Sequence, residues 1–477
     1  MNARASPPEI AWTDLASGAA DDLDGRAVEI VGWLRAGNGD DRSDYGLLVP
    51  EALCCIGCVP MEKRAAVEID FERPTEATQS EVRLAGTWRR LPDDDPTCWI
   101  YQLQGARVVA AAASPGVFTR RALLKASSFL CLAIAAPQTA QAQADLAAAA
   151  SAAVAGALTI DIHSHAGRII GLRNVSERPP FTPVAAPMRE GGMAVICLTM
   201  VADTPTLELT PERRIVATRE PAPGEFYAWS RDGFARLRGL VDAQGLHIVT
   251  DRAGLDAAPR NGPSVIVAAE GADFLEGRME RLEEAYRKHQ LRHLQLTHYR
   301  PNELGDIQTV SPVHGGLTDF GAEVIRGCNR MGIVVDIAHG TFDLVKRAAS
   351  VTTKPLVLSH TSLANRPLPF SRLISPEHAR LVASTGGVIG IWPPSSIFPN
   401  LHALAAGIAR VVDVAGIDHV GLGTDMNGLT APPTFASYRQ LPALAVALMA
   451  RGFQADEVRK LLGGNYARVF ATTVAYS

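Results

Sequence analysis

The stretch "GALTIDIHSHAGR", Gly156–Arg168, closes an apolar run with two histidines one residue apart. On a β-strand, residues i and i+2 point to the same side, so His163 and His165 would share one face at a strand end. Seven similar runs follow: "MAVICLTM", "SVIVAAE", "LRHLQLTH", "GIVVDIAH", "PLVLSH", "GGVIGIW" and "HVGLGTD". They are rich in Val, Ile and Leu and hydrophobic throughout rather than alternating, as parallel strands covered on both faces are. Amphipathic stretches such as "GRMERLEEAYRKHQ", "TDFGAEVIRGCNRMG" and "SPEHARLVASTGG" lie between them. Eight βα units in about 310 residues predict an α/β chain built on a (β/α)8 TIM barrel with loop insertions. Residues 201–264 exceed what one unit needs and predict an excursion between the second and third strands.

All twelve histidines fall after residue 162, so imidazole chemistry belongs to this region. Active sites of such barrels gather at the C-terminal ends of the strands. Those ends carry His163 and His165, Glu270, His298, His339, His360 and Asp425. Taken singly, each has an ordinary explanation: a satisfied polar histidine, a helix N-terminal acid, a turn-capping aspartate. Barrel closure, however, points all of these strand ends at one axis. Imidazole and carboxylate donors suit Zn²⁺. With Glu270 able to bridge, and His339 and His360 on neighbouring strands, the set predicts two zinc ions per chain. Such a pair, about 3.5–4 Å apart, would activate a bridging hydroxide.

The segments "DIHSH", "MREGGMAV", "AAEGADFL", "LQLTH", "GIVVDIAHG", "PLVLSHTSLANRPLPFSRLISPEHARLVASTGG", "HVGLGTDMNG" and "LLGGNYARVF" occur in this order. Over residues 157–472 the chain therefore resembles the membrane (renal) dipeptidases of the amidohydrolase superfamily. The resemblance implies an enzyme that hydrolyses small dipeptides through a metal-bridging hydroxide. It implies His163, Glu270, His339 and His360 as metal ligands, with Glu270 bridging and His165 in the remaining strand-one ligand position. His298 would polarise the scissile carbonyl, Arg372 would grip the substrate carboxylate, and Asp425 would shuttle protons. Two positions depart from the family pattern. His165 stands where the family has Asp, which makes the site more cationic, and Met426-Asn427-Gly428 stands where Phe-Asp-Gly usually follows the strand-eight acid.

Other readings use the same residues: a TatD-like deoxyribonuclease, a lactonase, a deaminase, or a barrel that holds metal without turnover. "SHTSLANRP" and an export signal favour the dipeptidase over the nuclease. A mere metal holder would need none of His298, Arg372 and Asp425.

The composition is 47% hydrophobic and 20% charged with net charge −4, which argues against general nucleic-acid binding. Seven cysteines are too few for a disulfide scaffold at this length. Residues 1–116 read as a small β-rich domain of unknown function, with strands expected in "RAVEIVGWL", "DYGLLVP", "AAVEIDF", "EVRLAGTWRRL" and "CWIYQLQGARVV". Cys55-x-x-Cys58 has the spacing of half a metal site or a redox pair, although buried free cysteine is the simpler reading. Residues 117–143 combine Arg120-Arg121, Lys125, a short apolar core and Ala140-Gln141-Ala142, the make-up of a twin-arginine signal. Its apolar run falls short of the roughly 20 residues a spanning helix needs. The segment predicts a periplasmic or exported protein and leaves membrane association through 119–136 open, as is a homodimer. Residues 144–156 read as an Ala-rich linker or short helix, and 157–477 as the TIM-barrel metallohydrolase domain.

Overall fold

The computed structural model describes residues 7–36, 42–50, 64, 66–76, 81–91, 100–111, 136–165, 183–210, 214–364, 371–429 and 433–474. They fall into two compact units, Met1–Asp93 with Thr97–Ala152 and Asp94–Pro96 with Ala153–Ser477.

In the first unit, strands Ala27–Ala36, Arg42–Val49, Val67–Glu76, Tyr101–Ala111 and Glu81–Arg90 pair in that spatial order, and the last returns to the first. Among these five strands only the Val67–Glu76 and Tyr101–Ala111 pair is parallel, and the two-residue strand Glu9–Ile10 adds in parallel to Ala27–Ala36. This is a closed five-stranded sheet of the OB type, in which closure removes the exposed edges. Alternation along each strand sends Val28, Ile30, Val67, Ile69, Leu84, Trp88 and Leu103 into one core. Trp88 is fully buried, and its indole N–H donates to the Ala20 carbonyl at 2.9 Å. Cys54, Cys55, Cys58, Cys98 and Cys131, and the signal-like residues up to 135, lie outside the described residues. The expected linker is largely helix: Ala136–Val154 is continuous, as its run of alanines, the strongest helix formers, favours. Ala140-Gln141-Ala142 lies within it. Among the described residues no helix is long and apolar enough to cross a membrane.

The second unit is the expected barrel. Its strands are β1 (Ile160–Ser164), β2 (Val195–Val201), β3 (Ser264–Glu270), β4 (His293–Gln295), β5 (Val334–Asp336), β6 (Leu356–Thr361), β7 (Val388–Ile391) and β8 (Val420–Leu422). All are parallel, each pairs with the next, and β8 pairs with β1 to close the ring. Every residue of β2 and β3 is buried, which is why these segments read as unbroken hydrophobic runs.

The helices between strands begin where the sequence offers a polar cap. Thr318, Thr341, Ser375 and Asn400 each accept a backbone N–H of the first turn, a contact worth about 1 kcal/mol apiece. The excursion between β2 and β3 is present. It holds a small hairpin (Leu207–Leu209 with Ile215–Ala217), the helix Glu225–Gln244, a two-residue strand paired to the start of β3, and the helix Arg252–Asn261.

Candidate metal centre

All seven strand-end residues singled out in the sequence meet at the barrel mouth. His163, His165, Glu270, His298, His339 and His360 are each at most 3% exposed. Glu270, the last residue of β3, sits at the centre. Its Oε1 lies 3.5 Å from His163 Nε2, 3.4 Å from His298 Nε2, 3.3 Å from His339 Nε2 and 3.5 Å from His360 Nε2. Its Oε2 lies 3.2 Å from His165 Nε2. His165 Nε2 is also 3.1 Å from His163 Nε2 and 3.3 Å from Asp425 Oδ1, and His339 Nε2 is 3.0 Å from His360 Nε2.

These spacings test whether ions fit. A tetrahedral zinc with ligands at 2.0–2.1 Å holds neighbouring donors about 3.3 Å apart. The nitrogens and carboxylate oxygens here stand at that separation. They group as His163, His165 and Asp425; His163, Glu270 and His360; and Glu270, His298 and His339. The donor set fits divalent cations, and Glu270 is common to two of the three groups. Asp425 and His298, assigned other tasks by the resemblance, lie within the same reach.

Electrostatics favour cations too. Burial alone would raise the Glu270 carboxyl, but the His298 and His163 charges, with hydrogen bonds from His163 and His165, hold it well below the usual range. Burial, with Arg372 and other neighbouring cationic groups, keeps His339 and His360 well below the ordinary imidazole value. This favours the neutral imidazole, the form a metal ligand takes. At His165, burial is outweighed by hydrogen bonds to Asp425 and Glu270, which push it up to about 10. This corner stabilises a positive charge.

The backbone is bent to make this convergence. His339 and Asp425 adopt left-handed φ of 66° and 50°, a conformation that costs non-glycine residues on the order of 1–2 kcal/mol. The Asp425 N–H donates to the His163 carbonyl at 2.9 Å, and the His165 N–H donates to the Met426 carbonyl at 2.8 Å. The two ends of the barrel seam thereby brace each other. A Cβ at Gly428 would lie 2.0 Å from Asp425 Oδ1 and 2.5 Å from His165 Cδ2, so any side chain there would displace these two groups.

Several supporting residues were not foreseen. Asp203, fully buried just beyond β2, places Oδ1 2.7 Å from His298 Nδ1 and accepts the Tyr299 N–H on Oδ2 at 3.0 Å. It turns His298 Nε2 toward Glu270. His165 Nδ1 faces the Thr199 carbonyl at 3.1 Å. Ser359 Oγ touches the Nδ1 atoms of both His163 and His360. Asp273 is buried against Arg300 and Asn302, and burial with the neighbouring Asp203 charge raises its carboxyl to about 7.

Arg372 is also in place. It is 6% exposed, its Nη2 donates to the His360 carbonyl at 3.3 Å, and its Nη1 has no partner among the described residues. Its guanidinium lies 5.8 Å from the Trp392 ring centroid, just beyond β7.

The family model for membrane dipeptidases (peptidase family M19) matches residues 232–477, more than half of the chain. The chain belongs to the membrane dipeptidase family. The matched span contains Glu270, His298, His339, His360, Arg372 and Asp425; His163, His165 and Asp203 precede it. The chain is 31% identical over 192 residues to dipeptidase aclJ of Aspergillus oryzae, covering 38% of this chain and 44% of that protein. It is 28% identical over 185 residues to dipeptidase verJ of Clonostachys rogersoniana, covering 38% and 47%. It thus spans less than half the length of these curated relatives. Among solved structures, the probable dipeptidase PvdM of Pseudomonas aeruginosa superposes with TM-score 0.57 at 17% identity, over 69% of this chain and 98% of that one. A metallopeptidase of Rhodobacter sphaeroides, liganded with a phosphinate mimic of the dipeptide L-Ala-D-Ala, gives TM-score 0.55 at 21% identity over 66% and 99%. At these identities the structural likeness concerns the barrel fold of this membrane dipeptidase family member.

Proposed function

We propose that the chain is an exported binuclear zinc dipeptidase. The observation that carries this reading is the convergence of the His/Glu/Asp donors at tetrahedral spacing beside a buried arginine with a free N–H group. His163, His165 and Glu270 would hold one ion, and Glu270, His339 and His360 the other. Bound there, the ions would acidify a coordinated water and polarise an acyl oxygen.

The chain's own groups complete the chemistry. Arg372 receives the C-terminal carboxylate of a dipeptide on Nη1, which favours short substrates with a free acid end. His298, oriented by Asp203, presents Nε2 to the scissile carbonyl oxygen. Asp425, whose side chain is 13% exposed at the mouth, takes a proton from the incoming water on its carboxylate and returns it to the departing amine nitrogen. Export rests on Arg120-Arg121 and Ala140-Gln141-Ala142.

One observation favours a second reading. His163, His165 and Asp425 make a donor trio unlike the family's His-x-Asp pattern, compatible with a lactonase or deaminase on the same barrel. Incubating the zinc-loaded protein with dipeptides, lactones and oligonucleotides separates the two. Turnover of dipeptides alone supports the proposal, and turnover of lactones without dipeptides refutes it.

A further inference from the structure

Ser359 occupies an unusual position between the two donor groups. It is fully buried on β6, and its Oγ lies 2.8 Å from His360 Nδ1 and 3.3 Å from His163 Nδ1. In the ion assignment proposed above the two imidazoles serve different ions, and their rings pack with centroids 4.0 Å apart beside this one hydroxyl. Each ring turns Nε2 toward Glu270. A neutral imidazole that gives its Nε2 lone pair to an ion must carry its proton on Nδ1. A serine oxygen has two lone pairs and can accept both N–H groups.

The backbone under Ser359 is fixed on several sides. Its N–H donates to Asp336 Oδ1 at 3.1 Å, and the other oxygen of Asp336 meets His293 Nε2 at 3.1 Å. Its carbonyl is pressed by Gly390 and Gly423, where any Cβ would come within 1.8 and 1.7 Å of the oxygen. Gly390, on the adjacent β7, and Gly423, just past β8, therefore cannot carry side chains there, and the Ser359 backbone that bears the hydroxyl is held in place.

We infer that Ser359 is a shared positioning residue: it fixes the tautomer and aim of one ligand of each ion, so the two ion sites are coupled from beneath as well as through Glu270. The inference rests on the two-ion reading above. Loss of an outer hydrogen-bond partner commonly lowers metal affinity by about 10- to 100-fold, and here the loss should fall on both sites together. A partner serving a single ligand would affect one site.

The test is a Zn²⁺ titration of the full chain against a competing chelator, for wild type, Ser359→Ala and Ser359→Cys, with melting curves to confirm folding. Wild type should bind two ions. Ser359→Ala should weaken both by about 10-fold or more. Ser359→Cys, which keeps the volume but offers a poor acceptor, should follow alanine. In ¹⁵N-histidine spectra of the zinc-loaded protein, the Nδ1–H signals of His163 and His360 should broaden or vanish in the variants, while that of His165, held by the Thr199 carbonyl, persists. Unchanged affinity, loss at one site only, or wild-type behaviour of the cysteine variant each overturns the inference and leaves the two-ion reading intact. A wild-type protein that binds fewer than two ions refutes that reading itself.

Discussion

Replacing Arg372 with alanine asks whether this barrel recognises a carboxylate. The guanidinium is almost wholly buried, one N–H group is spent on the His360 carbonyl at 3.3 Å, and Nη1 is unpartnered among the described residues. A substrate carboxylate docking there would form a charge-assisted bond with an almost wholly buried guanidinium. Truncating one partner of such a buried pair costs roughly 2–5 kcal/mol. At about 1.4 kcal/mol per factor of ten, kcat/KM should fall from about 30-fold to several thousand-fold. If the contact is equal in ground and transition states, the loss appears in KM. Lysine should not restore it, because an ammonium cannot reproduce the fork. Folding stability should move the other way: removing a buried cation that lacks a full set of partners leaves it unchanged or raises it. The assay compares a dipeptide with its C-terminal amide in wild type and variant, with zinc content as control. Wild type should prefer the free acid strongly, and the variant should lose that preference while keeping its zinc. Equal discrimination by both proteins would refute carboxylate recognition at Arg372.

Elemental analysis should find two zinc ions per chain; His339→Ala should lose mainly one and Glu270→Ala should weaken both, and full loading after both changes would remove the ligand assignment. Asp203→Asn should lower kcat on the order of 100-fold or more while retaining both ions, because His298 loses the charge that orients it; an unchanged kcat would show that His298 needs no such support. Asp273, raised to about 7 from an ordinary 3.8, predicts a pH effect. Its folded form holds the proton more tightly than its unfolded form, so its contribution to stability is lost as pH rises from about 4 through about 7. Asp273→Asn should therefore gain on wild type across that window, by melting temperature, and a gap independent of pH would contradict the buried-acid assignment. In a bacterium with a twin-arginine pathway, N-terminal sequencing of the mature protein should begin near Gln143; a chain still starting at Met1 would discard the export reading.

The barrel was legible because its strands are buried on both faces, so hydrophobic runs and structural strands coincide. The candidate donors were legible because a strand end cannot hide: His163, Glu270 and His360 lie on the strands themselves. His298, His339 and Asp425 lie three residues beyond short ladders, where the chain swings its side chains over the mouth. Asp203 escaped notice because the β2 run was read as ending at Met200, and its meaning depends on a histidine 95 residues further on. The other strand end left without chemistry, β7, supplies Trp392 beside Arg372. Ser359 was hidden by proximity, since a serine next to a ligand histidine reads as filler until the rings show which atoms it serves. In the first unit the strands were readable, but sheet closure was not, because it depends on one parallel pair between segments about 30 residues apart.

The seam between β1 and β8 also bears on how the molecule assembles. Its donors come from opposite ends of the barrel domain, yet His163 and Asp425 are hydrogen-bonded neighbours. A nascent chain that has made its first histidines must finish the eighth strand before Asp425 stands beside them. Zinc held there as proposed would favour the closed ring, and at a free concentration 100 times its Kd each ion would shift the folding equilibrium by about 2.7 kcal/mol. The metal centre would act as a latch on the last step of assembly, and zinc starvation would leave a ring that opens along this seam first.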